Sequence, residues 1–79
     1  MELRIAQSAL EDLQYYKEQD VPHIGDDFVA AILEHSEMLQ LHPDAGRIVP
    51  EFNLDHIREL IHAPFRVVYL RQAKEVVLI

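Results

Sequence analysis

Apolar residues change their spacing several times along this chain, and each change marks an element. Leu3 and Ile5 alternate with Glu2 and Arg4, the period of a half-buried strand, so Glu2 to Ala6 reads as a first strand. From Ser8 the interval lengthens. Leu10, Leu13 and Tyr16 recur at i, i+3 and i+6, one stripe of a helix that should stop near Gln19 or Asp20. Ser8 and Glu11 have capping-box spacing, and Glu11 and Asp12 fall where a first-turn dipole favours negative charge. Val21-Pro22-His23-Ile24-Gly25-Asp26 breaks the pattern. A second helical period follows from about Ile24 or Asp26 to Leu41, carried by Phe28, Ile32, His35 and Leu39. A break this short predicts an antiparallel helical hairpin.

His42-Pro43-Asp44-Ala45-Gly46 ends the second helix with Pro and Gly. Arg47 to Asp55 reads as an irregular connection. Ile57 to Ala63 is a strand that Pro64 terminates or bends, and Phe65 to Arg71, rich in β-branched and aromatic residues, is a central strand. Gln72-Ala73-Lys74 is a turn into a last strand, Glu75 to Ile79. The order β-α-α-β-β-β predicts an α+β fold: an N-terminal strand, a helical hairpin, and three antiparallel strands in a sheet packed on that hairpin.

The length of 79 residues gives one domain with a modest core, and no cysteine is present to staple it or to form a thiolate zinc site. No apolar run is long enough to span a bilayer, and the simplest reading is a cytoplasmic protein without a membrane partner. The formal net charge is -7, unevenly placed. Residues 1–44 hold ten acids against Arg4 and Lys17, whereas residues 45–79 hold four acids against five bases. The first half repels polyanions, so direct nucleic-acid binding is not expected, and anion recognition belongs to the second half.

Arg58 and Arg66 sit on consecutive strands among apolar neighbours, where an arginine must pair or face water. Arg66 is the strongest functional candidate, because a guanidinium keeps its charge and forks around carboxylates or phosphates. Its structural alternative is an ion pair with Glu59 on the neighbouring strand. Arg58 and Glu59 point to opposite faces, and one of them should support the fold. Arg47, just after Gly46, is read as structural, reaching back to helix C-terminal carbonyls. Tyr69 joins an aromatic body to a polar tip and is more readily a core residue with a bonded hydroxyl than a contact platform. The five histidines lack the i, i+4 pattern with Glu of a zinc protease helix, so no metal site and no cofactor are predicted. His35 on the apolar stripe reads as a packed interface histidine. No nucleophile elbow, phosphate-cradling loop or dinucleotide fingerprint is present.

Several short stretches together resemble one family. Ser8-Ala9-Leu10-Glu11-Asp12-Leu13 is similar to an "S-x-x-A-x-x-D-L" opening. Leu39 to Arg47 is similar to "L-x-x-x-P-x-x-G-R", Ile57-Arg58-Glu59-Leu60 to "I-R-E-L", and Phe65-Arg66-Val67-Val68-Tyr69 to "Y-R-I-V-Y". In this order and spacing the chain resembles the RelE/ParE toxin superfamily of type II toxin–antitoxin modules, the ParE branch in particular. The resemblance implies a plasmid-stabilisation toxin that inhibits DNA gyrase by protein–protein contact, more an interaction protein than an enzyme, and that is neutralised by a cognate ParD-like antitoxin. It implies target contacts at Arg58, Arg66 and Tyr69, structural roles for Arg47 and Glu59, and antitoxin contacts at Leu13, Tyr16, Phe28, Ile32 and His35. The chain is expected to be a single toxin domain lacking the tail that usually follows the last strand. In RelE-like ribosome-dependent mRNA endonucleases that tail supplies part of the catalytic set, and only Arg66 falls on one of their functional arginines. The alternatives are such a nuclease, with Arg66 stabilising charge on the scissile phosphate, or a non-toxic partner-binding remnant.

Overall fold

The computed structural model describes residues 1–18 and 28–79. Its elements are β1 (Glu2–Ile5), α1 (Gln7–Glu18), α2 (Phe28–Glu37) with a 3₁₀ turn at Met38–Gln40, β2 (Arg47–Ile48), β3 (Ile57–His62), β4 (Phe65–Arg71) and β5 (Glu75–Leu78). The expected α+β order is the observed one. The expected break at residues 21–26, and with it the ends of the helices that flank it, lies outside the described residues.

The five strands form one mixed sheet in the order β1-β5-β4-β3-β2. β2, β3, β4 and β5 pair antiparallel in succession, and β1 joins the far side of β5 in parallel. Two of these features go beyond the three-strand sheet expected. The first strand enters that sheet itself, and the segment read as irregular contributes the two-residue β2, where Arg47 pairs with Glu59 and Ile48 with Arg58. β3 turns into β4 through Ala63-Pro64, a cis peptide bond.

Partners across the ladders share a face, which sorts the sheet into two sides. Ile5, Leu78, Tyr69 and Arg58 form one cross-strand row, and Leu60 pairs with Val67 on the same side. This side carries the core: Leu39, Leu60, Tyr69, Val76 and Leu78 are buried together with Ala9 of α1. The other side presents Arg66, Ile61, Glu59, Arg47, Val68 and Val77.

α2 meets the sheet as its period predicts. Phe28, Ile32, Ser36 and Leu39 are all buried, one stripe of the helix and its 3₁₀ extension. Buried Ser36 donates to the Ile32 carbonyl at 2.7 Å, which satisfies its hydroxyl within the helix. The regular α-helix ends at Glu37 instead of Leu41, and the 3₁₀ turn takes over ahead of Pro43.

α1 differs from expectation. It starts at Gln7, one residue early, and Gln7 Nε2 donates to Glu11 one turn on, so Ser8 and Glu11 do not form a capping box. Glu11 consequently lies beyond the first turn. The residue that α1 buries is Ala9, whereas Leu10 is 45% and Tyr16 38% exposed. A methyl side chain lets the helix backbone approach the sheet, and the larger side chains point to the helix flanks. Among the described residues no helix is long and apolar enough to cross a membrane.

Candidate functional site

At one end of the molecule the helices, the β3–β4 turn and the end of β5 enclose an open cleft of about 320 Å³. Its walls include Leu13 and Tyr16 of α1, Phe28 and Ile32 of α2, and Phe65 and Arg66 of β4. The aromatic rings set its shape. Phe28 and Phe65 stack with centroids 5.3 Å apart, and Tyr16 meets Phe65 edge-on at 4.8 Å. Tyr16 remains more than a third exposed, so an apolar surface is open at the mouth. Asp12 lines it as well, and Arg66 does so from a strand whose alternation turns its side chain to the outer face.

Arg66 is held from the outer side of the sheet. Its Nη1 donates to Glu51 Oε1 at 2.9 Å and lies 3.1 Å from Glu59 Oε2. Arg47 Nε donates to the other oxygen of Glu59 at 2.6 Å. The Glu59 side chain is wholly buried, while those of Arg47 and Arg66 are 62% and 45% exposed. A buried carboxylate thus separates two half-exposed guanidiniums. Its Oε2 has ion-pair proximity to Arg66 without the alignment of a hydrogen bond. The Arg66 hydrogen bond, followed by a backbone bond within Glu51, draws the Glu51 carboxyl below its usual value. The same contact raises Arg66, with the charges of Glu51 and Glu59 adding to it.

A second polar cluster lies beneath the loop after α2, on the core side. The Tyr69 ring is fully buried, its hydroxyl accepting from the Gly46 N–H at 3.0 Å and donating to the Pro43 carbonyl at 2.7 Å. Burial pushes the phenol up from its usual value, against the lowering effect of the Gly46 bond. Arg58 donates to the carbonyls of Asp55 at 2.9 Å and Gly46 at 3.0 Å. Asp44 draws Arg71 to 2.9 Å and Arg58 to 3.6 Å.

The predicted residues therefore separate. Leu13, Tyr16, Phe28, Ile32 and Arg66 meet at the cleft. Arg47 and Glu59 join Arg66 on the outer face, so the pairing weighed for Arg66 and Glu59 is present. Arg47 reaches that carboxylate instead of helix carbonyls, and it is Arg58 that ties down the loop. Tyr69, assigned to a target surface, has no exposed surface to offer, because its hydroxyl is spent inside the fold. His35 stands apart from the cleft, against His62. Sequence reasoning missed Phe65 and Glu51 at the site. Strand alternation puts Phe65 on the same face as the buried Tyr69 and so could have found it, but nothing in the pattern points to Glu51. Among the described residues no three His, Asp or Glu side chains come together as metal ligands would.

A family model described as the ParE toxin of the type II toxin–antitoxin system, parDE, matches residues 3–79. The chain belongs to the ParE toxin family. No curated protein matches it closely enough to add a relative. The ParE match spans β1, both helices and every strand of the sheet, so the cleft and both polar clusters lie within the family domain.

Proposed function

We propose that this ParE-family protein is a toxin that inhibits DNA gyrase by protein–protein contact and is neutralised by a cognate antitoxin. The observation that carries the reading is the family match over residues 3–79. The surface is compatible with it. A cleft walled by Leu13, Tyr16, Phe28 and Ile32 is the kind of groove in which an apolar helix face or extended segment seats. On the outer face of the same strand, Arg66 keeps part of its guanidinium exposed for a partner's acidic group. The action takes place in the cytoplasm, where gyrase works.

The test has two arms. Induced expression without antitoxin is expected to arrest growth, and co-expression of the antitoxin from the neighbouring reading frame to restore it. Purified protein is expected to inhibit gyrase supercoiling in vitro, with Arg66→Ala weakening inhibition about tenfold, the scale of one lost charge-assisted contact. Supercoiling left intact at concentrations that arrest growth would remove gyrase as the target. Unimpaired growth with soluble protein present would remove the toxin reading itself.

A further inference from the structure

His35 on α2 and His62 at the end of β3 join the helical layer to the sheet through their rings. The two Nδ1 atoms are 3.0 Å apart, and both residues are half-buried. The ring centroids are 5.3 Å apart and the planes tilt by 47°. That centroid separation is close to the nitrogen separation plus one ring radius at each end, so the rings address each other head-on. One imidazole donates to another in this way, an Nδ1–H on one ring pointing at the Nδ1 lone pair of its neighbour. A cation shared by both rings would require lone pairs converging on a point beside the N···N line. The alignment suits a proton.

We infer that His35 and His62 form a proton-limited clasp between α2 and the sheet. The neutral pair holds one hydrogen at the contact. A first added proton enters at the outer Nε2 of the donor ring and strengthens the bond, because the donor becomes cationic. A second must take the Nδ1 lone pair that forms the contact, which sets two N–H groups and two positive charges against each other. The clasped pair thus accepts one proton where the unfolded chain accepts two. The first proton favours the folded state, so stability falls with pH only below the ordinary imidazole value of about 6.5, where the unfolded chain binds the extra proton.

Charged groups on the packed elements do not substitute for this chemistry. On β3 and β4, Glu59 is held by Arg47 and Arg66, and Arg58 and Arg71 by Asp44. Glu34 and Glu37 on α2, and Glu11, Asp12, Lys17 and Glu18 on α1, are exposed. Among the described residues none of them makes a hydrogen bond or ion pair to either ring. The clasp stands on ring geometry alone, independent of which partner the protein meets.

Imidazole ¹⁵N spectra of the intact protein test it directly. At pH 8, one ring of the pair is expected to carry its proton on Nδ1 and the other to have a bare Nδ1. Two bare Nδ1 atoms would overturn the clasp. Denaturation from pH 8 to 5 gives a second readout. Below about pH 6.5 the unfolding constant of the wild type is expected to rise by up to about tenfold per pH unit more than that of His35→Phe, the effect of one additional proton. His23, His42 and His56 are common to both proteins and cancel in the comparison. Equal pH slopes would equally overturn the inference, and if His35→Phe does not fold, His62→Gln replaces it.

Discussion

Gly46 is small because of its neighbours. A Cβ there would stand 2.6 Å from the Glu59 carbonyl and 2.8 Å from the Tyr69 ring and hydroxyl. The same glycine donates to that hydroxyl, so the loop after α2 is drawn against β3 and β4 with no space for a side chain. Gly46→Ala is expected to cost about 3 kcal/mol, from overpacking against backbone that has little freedom to move. Tyr69→Phe keeps the ring but strands a buried N–H and carbonyl, at about 1–3 kcal/mol. Urea denaturation checks both, with glycine replacement the worse of the two. The Glu51–Arg66 contact has a different signature. Its folded-state carboxyl lies below the unfolded value, so its stabilisation is full above the unfolded value and drains away as pH falls through the folded one. Wild type is expected to be more stable than Glu51→Gln near pH 6, and the gap to close below about pH 4, under the ordinary glutamate value. Glu51 itself was illegible in the sequence: it lies outside any periodic element, and only the return of the chain from β2 brings it to Arg66.

At the scale of elements, legibility followed the strength of the period. α2 with its 3₁₀ extension shows about three turns of regular apolar spacing, and Phe28, Ile32 and Leu39 are buried as that spacing requires. β3 and β4 were equally plain, because β-branched and aromatic residues crowd the alternating positions. α1 was misread in orientation. Leucine and tyrosine outweigh alanine on any hydrophobic scale, yet Ala9 faces the sheet and Leu10 faces out. The close approach of a helix to a sheet selects for a small residue, which periodicity of large ones conceals. Ala9→Leu is therefore expected to destabilise by about 1–3 kcal/mol. Leu10→Ser should stay within about 0.5 kcal/mol, as surface changes usually do. Thermal melts of the two variants separate these readings. β2 went unseen because two residues carry no period; the pairing with β3 defines it.

For the molecule as a whole, charge and site are segregated. The helices offer acids and apolar flanks, while the arginines gather on the sheet and its loops, most of them committed to Glu59, Glu51, Asp44 or Glu75. A protein at -7 with its cations neutralised in place has little electrostatic attraction for a phosphate backbone. No retention on single-stranded RNA or duplex DNA is expected at about 0.15 M salt, where screening acts over roughly 8 Å. Mobility-shift titration against both nucleic acids checks this, and salt-sensitive binding would revive the nuclease alternative. The motifs that carry the family resemblance are partly architectural and partly site-forming. Pro43, Gly46, Arg47, Arg58 and Tyr69 knit the loop after α2 to the sheet, while the first and last motifs also supply Leu13 and Phe65 to the cleft, beside Tyr16, Phe28 and Ile32 from outside the motifs.

The strand order has a consequence for synthesis. Of the described strands β1 is made first, but its neighbour is β5, the last of them to be made, and β5 also completes the β4 ladder. While the ribosome is still translating β5, Leu3 and Ile5 have no strand to lie against, and Ala9 lacks Val76 and Leu78 in the cluster they share. The sheet therefore cannot close, and β1 cannot join it, before β5 has been made. The part of the cleft wall that β5 and its end supply, Leu78 and Ile79, is likewise the last of the described wall to be made.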